Sequence, residues 1–183
     1  MVDSGGRSPD QNGYDDHLPA HRTPIESVTA GLYMAGGALG LVMTVPTLVG
    51  QTLSALGALG WLILLAQIAA AIYGGVQLWR RRTIGLQLLY WLSWSCVPVA
   101  ITAVFSYWCA MGLGAFPTLS VGLGHFGTNF DFSFGYSSRL YFLPGGSGVT
   151  FGVNLIALAF AVMLRRHMAT AGVGALPLRW PQR

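Results

Sequence analysis

The sequence predicts an all-α membrane protein, a bundle of four transmembrane helices with a small extracytoplasmic β-hairpin between the third and fourth. Three observations point there. Of 183 residues, 53% are hydrophobic and only 9% charged, against ~25% charged in an ordinary soluble domain. Such a chain cannot cover a water-facing surface with polar groups and needs lipid as its solvent. Four apolar runs stand apart, at 27–48, 53–79, 83–113 and 147–164, and each reaches the roughly 17–25 residues that a crossing requires. Counted against those runs, the arginines fall almost wholly on one side.

Residues 1–26 are polar and rich in Gly, Pro, Asp and Ser, the composition of a disordered tail. This terminus carries neither the pattern of a cleaved signal peptide nor a lipidation motif, so the first run is expected to remain as an uncleaved anchor. The first run holds Gly31, Gly36, Gly37, Gly40 and Pro46, which weaken an isolated helix but are tolerated where neighbouring helices satisfy the backbone. The second run ends at Arg80-Arg81-Arg82. The third contains Pro98, which lacks an N–H and should kink the helix there. The fourth ends at Arg165-Arg166-His167, and 167–183 form a polar, proline-punctuated tail.

With four crossings, nine arginines lie on the side of both termini and only Arg139 on the other. The positive-inside rule then places both termini on the cytoplasmic side of a membrane that the chain spans several times. Trp79, Tyr107 and Trp108 fit interfacial anchors, whereas Tyr90, Trp91 and Trp94 lie deeper and are expected between helices. Gly36 and Gly40, Ala66, Ala70 and Gly74, and Ala157 and Ala161 form small-residue stripes that should face other helices.

Mid-membrane polar groups are few. Ser95, Thr102 and Ser106, with Cys109, fall near one face of the third run at helical spacing, a hinge or a small polar path beside Pro98. Gln67 and Asn154 are the others, and each must face protein or water; a Gln67–Asn154 contact is one solution. Cys96 and Cys109 share the third run, and along a helix they would stand ~20 Å apart, beyond the ~7 Å Cα separation a disulfide allows.

Residues 114–146 have another character. Asn129 to Tyr136 alternate strictly, so that a strand puts Phe130, Phe132, Phe134 and Tyr136 on one face. Ser137-Ser138 would turn it, and Arg139 to Leu143 would pair back before Pro144-Gly145-Gly146 leads to the fourth run. The aromatic face is either a lid on the helix ends or a docking surface.

No Asp, Glu, Lys, Arg or His interrupts 27–79, 83–124 or 147–164, which argues against a proton-coupled transporter or pump. Metalloprotease, nucleophile-elbow and phosphate-loop motifs are missing. His125, Asp131 and Arg139 share the outer segment without a defined spacing, and Asp15, Asp16, His17 and His21 sit in a tail that nothing orients. The reading is therefore no catalytic residues, no cofactor, no metal and, with a net charge of only +4, no nucleic-acid partner.

Tyr73-Gly74-Gly75-Val76-Gln77-Leu78-Trp79-Arg80-Arg81-Arg82, Gly127-Thr128-Asn129-Phe130-Asp131-Phe132 and Gly152-Val153-Asn154-Leu155-Ile156-Ala157-Leu158 together resemble small four-span proteins of bacterial inner membranes. The resemblance covers 28–166, implies that location, and brings no activity or active site with it. What remains is a non-catalytic interaction or accessory subunit, embedded in the lipid bilayer, with a protein partner or a second copy of itself. The alternative is a small channel or facilitator for a neutral solute.

Overall fold

The structure is a computed structural model that describes residues 18, 23–48, 55–122, 125–142 and 148–174. The expected tail at 1–26, except for Leu18 and 23–26, lies outside these residues, as do the connection at 49–54, Pro144-Gly145-Gly146 and 175–183. In chain order the elements are α1 (Pro24–Leu48), α2 (Ala55–Trp79), α3 (Thr83–Ser95), β1 (Pro98–Ile101), β2 (Phe105–Gly122), β3 (His125–Phe142), β4 (Val149–Val153) and α4 (Leu155–Thr170).

The all-α four-span bundle is therefore not the fold. The described residues form four helices and a four-stranded antiparallel sheet. Among the described residues only α1, over Pro24–Pro46, and α2 are long and apolar enough to cross a membrane. At 1.5 Å per residue the 25-residue α2 is ~37 Å long, while α3 and α4 reach only ~20 and ~24 Å, short of a ~30 Å hydrocarbon layer.

The third run fails as a helix at a definable place. Pro98 disfavours helical backbone at the residue before it. The residues beyond it are rich in β-branched and aromatic side chains: Val99, Ile101, Val104, Phe105, Tyr107, Trp108. Instead of kinking and continuing, α3 stops at Ser95 and the chain enters the sheet at Pro98. The fourth run divides likewise, into β4 and a helix that starts after the N-cap Asn154.

The expected hairpin is also larger and differently paired. β3 does not turn at Ser137-Ser138; it runs unbroken for 18 residues against all 18 of β2, from Phe105↔Phe142 to Gly122↔His125. The strand order is β1-β4-β2-β3. β1 pairs with both β4 and the start of β2, and β4 pairs with the end of β2, so these three strands curl round a small interior. Val99, Ala110 and Phe116 pack together in it with Trp108, whose ring meets Phe116 edge-on at 4.9 Å. Trp108 is thus a core residue of the sheet rather than an interfacial anchor.

The helices pack in chain order. α1 lies on α2, α2 on α3, and α3 on α4, around Tyr33, Ile68, Leu86, Leu89 and Leu164. Tyr90 is buried among them as expected, but Trp91 and Trp94 are exposed on the outer face of α3. Ala157 and Ala161 are buried, whereas Ala66 is exposed.

One end of the molecule gathers the start of α1, the end of α2, the start of α3 and the end of α4. Thr23 and Glu26 cap α1 reciprocally, through Thr23 N–H to Glu26 Oε2 at 3.1 Å and Glu26 N–H to Thr23 Oγ1 at 3.4 Å. The same Glu26 carboxylate pairs with His167 of α4. Leu18 N–H donates to Arg81 O at 2.8 Å, and Gln87 Nε2 donates to Gly174 O at 2.8 Å. Arg80, Arg81, Arg82, Arg165 and Arg166 all belong to these chain segments.

α1 reaches the sheet through glycine. Gly112 and Gly135 are direct partners across the β2–β3 ladder and both have positive φ, +93° and +91°, a conformation that L side chains resist. α1 sits on this bend. A Cβ on Gly36 would stand 2.6 Å from the Gly112 backbone nitrogen, so this residue of the expected helix–helix stripe meets a strand instead. Replacing Gly36 with Val should lower stability by about 1–3 kcal/mol, seen as a lower melting temperature in detergent. Gly31→Ala, with nothing within 4 Å, should be neutral or gain up to about 1 kcal/mol; equal melting temperatures for the two variants would contradict this seating of α1.

Candidate functional site

Two sites stand out: a polar junction where α3, α4 and the sheet meet, and the outward aromatic face of β3.

The junction exists because a helix that ends among apolar side chains leaves carbonyls without partners. Two hydrogen bonds cover the exit of α3. Tyr107 OH donates to Ser95 O at 2.6 Å, and Asn154 N–H donates to Val97 O at 2.7 Å. Gln67 of α2 donates from Nε2 to Tyr107 OH at 2.8 Å and to Ser95 Oγ at 3.4 Å. The Gln67–Asn154 contact is thus not the one made. Gln67 and Ser95 do come together, through a tyrosine that the sequence suggested as an interfacial anchor. Deeper in, Tyr33 OH and Ser93 Oγ share a hydrogen bond of 2.7 Å, and Ser93 Oγ also donates to Leu89 O.

Asn154 is fully buried. Its Oδ1 accepts from Ala157 N–H at 3.2 Å, capping α4, and from Ala115 N–H of β2 at 3.4 Å. Its Nδ2 donates to Cys109 O at 3.3 Å.

Ser95, Thr102 and Ser106 do not share a face. Ser95 is the last residue of α3 and bonds back to Leu92 O; Thr102 caps the β1–β2 turn, accepting from Phe105 N–H at 2.9 Å; Ser106 is buried in β2. The polar path drawn on one helix dissolves because the helix ends before it.

The same break corrects the reading of the cysteines. The β1–β2 hairpin folds Cys109 back onto the end of α3, and Cys96 Sγ lies 3.1 Å from Cys109 Sγ. Both thiols are free and buried.

β3 carries a row of aromatic side chains. Phe130, Phe132 and Phe134 share one face and are 63%, 65% and 81% exposed. Tyr136 holds the next register position, opposite Met111. Phe126, at 74% exposure, extends the row. β3 is the edge of the sheet among the described strands. Beside the row, Pro117, Leu119, Phe130, Phe151 and Val153 line an open groove of about 660 Å³.

The opposite face encloses a smaller cavity of about 190 Å³, lined by Trp108, Thr118, Ser120, Asn129, Asp131 and Thr150 among others. Ser120 Oγ and Thr150 Oγ1 bond to each other at 2.8 Å. Trp108 Nε1 and Ser133 Oγ are buried without a hydrogen-bond partner among the described residues. His125 and Arg139 lie on β3, in register with Gly122 and Trp108. Among the described residues no three His, Cys, Asp or Glu side chains converge. The tail residues Asp15, Asp16, His17 and His21 lie outside the described residues.

Comparison with known proteins finds no match to the chain among family models, curated proteins or solved structures.

Sequence reasoning missed Tyr33, Ser93, Tyr107 and the paired cysteines as members of the junction. The available signal was the strand-forming run after Pro98. Replacing Asn154 with Leu should cost about 2–4 kcal/mol by stranding buried backbone groups, with lower folded yield in membranes. An unchanged melting temperature in detergent would show that Asn154 does not hold the junction.

Proposed function

We propose that this chain is a multi-pass integral protein of a bacterial inner membrane, with both termini cytoplasmic, acting without catalysis as an interaction or accessory subunit. The observation that carries this reading is the aromatic row Phe126, Phe130, Phe132 and Phe134, exposed on the edge strand of the sheet. Large contiguous apolar faces mark places where a protein meets another molecule. An edge strand offers its free backbone groups to an extended segment as well. The partner is a protein, or a second copy of the chain, that lays a strand or an apolar surface on β3.

The membrane reading draws on α1 and α2, which leave Leu41, Val42, Met43, Val45, Leu59 and Leu62 exposed. Their sidedness rests on the arginines gathered at the end of the molecule away from the sheet.

A second reading, a facilitator for a small neutral solute, draws on the cavity inside the sheet, where Thr118, Ser120 and Thr150 stand beside Val99, Ile101 and Phe116, and on its unpartnered Trp108 Nε1. Flux through liposomes carrying the purified protein separates the two, because raised solute permeability belongs to the second alone.

Crosslinking in native membranes tests the first. Phe132→Ser should leave the melting temperature within about 0.5 kcal/mol equivalent of the parent, as for exposed positions generally, while the crosslinked partner or dimer is lost. A variant that keeps its crosslinks contradicts docking on this face; a variant that loses its stability points to a lid.

A further inference from the structure

The structure assigns Cys96 and Cys109 as a disulfide-forming pair that locks the sheet to the end of α3. Their sulfurs are 3.1 Å apart, and a disulfide bond is ~2.05 Å long, so closure asks each sulfur to move about half an ångström. The two backbones are held independently of the thiols. Cys96 is the C-cap of α3, its N–H bonded to Leu92 O and Ser93 O at 3.1 Å. Cys109 is fixed in the ladder opposite Ser138, and its carbonyl accepts from Asn154 Nδ2. The sulfurs meet because two rigid elements converge, not because a loose side chain reaches.

The bond would close the segment that contains β1 and the start of β2. That is the stretch where the chain exchanges helix for strand, and where every lost helical hydrogen bond must be replaced. Removing freedom there from the unfolded chain favours the folded one. With Cys96 1% and Cys109 0% exposed, no oxidant reaches the pair after folding, so the bond forms while β2 is still open. The reaction is exchange with a disulfide-bearing oxidant, R–S–S–R. One cysteine thiolate attacks a sulfur of R–S–S–R, making a mixed disulfide and releasing the first RSH. The second cysteine attacks that mixed disulfide, forming the Cys96–Cys109 bond and releasing the second RSH. The two cysteines are oxidised, R–S–S–R is reduced, and both thiol protons leave on the two RSH.

The test is cell-free synthesis of the full chain into liposomes, with oxidised glutathione present so that the thiols meet it before burial. The product is denatured in detergent, treated with a maleimide and weighed intact. The expected chain is two hydrogens lighter than the reduced form and takes no maleimide until it is reduced, after which it takes two. Cys96→Ser and Cys109→Ser should each lose the intramolecular bond. In undenatured protein the oxidised form should melt about 5 °C or more above the reduced form. Two maleimides on the unreduced wild-type chain, a persistent glutathione adduct or a disulfide-linked dimer would overturn the pairing. An oxidised chain that melts no higher than the reduced one would overturn the locking role.

Discussion

Asn154 joins three elements at the point where an apolar chain stops being helical. Through its side chain and backbone it bonds to Val97 beyond α3, to Cys109 and Ala115 of β2, and to Ala157 and Leu158 of α4. A helix terminus buried away from water leaves donors and acceptors that cost roughly 1–3 kcal/mol each when unpaired. Here α3 ends, α4 begins and β2 passes between them. The Asn154 backbone N–H serves the exit of α3, and its amide side chain, with donors and an acceptor, serves β2 and the first turn of α4, which an apolar residue would leave unpaired. The half-length helices α3 and α4 are possible because their inner ends terminate on this residue and on Tyr107.

The rest of the architecture is built on that junction. Once α3 and α4 end at it, the segment between them is free to form strands, and β1 and β4 are brought together in register from Pro98↔Val153 onward. β2 bends at Gly112 to serve both the helices and the sheet interior, with Cys109 and Met111 on one side and Trp108, Ala110 and Phe116 on the other. At the far end Glu26 and His167 tie α1 to α4. The helical layer is therefore clamped at both ends, by a buried carboxylate at one and a buried amide at the other.

Physical differences between the strands decide how much of this was legible in sequence. β3 could be read because its two faces differ: Asn129, Asp131 and Ser133 alternate with phenylalanines, and period two is visible. β2 could not. One of its faces meets helices and the other meets the sheet interior, so Tyr107 to Leu113 read as the end of a continuous apolar run, indistinguishable by hydropathy from a membrane helix. Pro98 was read as a kink because proline in a membrane helix often is one; the β-branched residues after it were the discriminating detail. The ~20 Å placed between the cysteines was correct for a helix and failed with it. Gln67 and Asn154 were found as residues that must be satisfied, but their partners depend on the turn at Cys96, which no periodicity announces.

Secondary chemical shifts of residues 98–113, measured by NMR on the full chain in lipid bilayers, test the central claim most directly. If α3 ends before Pro98 and Asn154 bridges it to the sheet, the Cα and Cβ shifts of Tyr107, Trp108, Cys109 and Ala110 are those of a strand. A Cys109 N–H paired across a ladder also exchanges slowly with solvent. Helical shifts running without interruption from Thr83 to Leu113 would contradict the account and restore a third membrane-crossing helix.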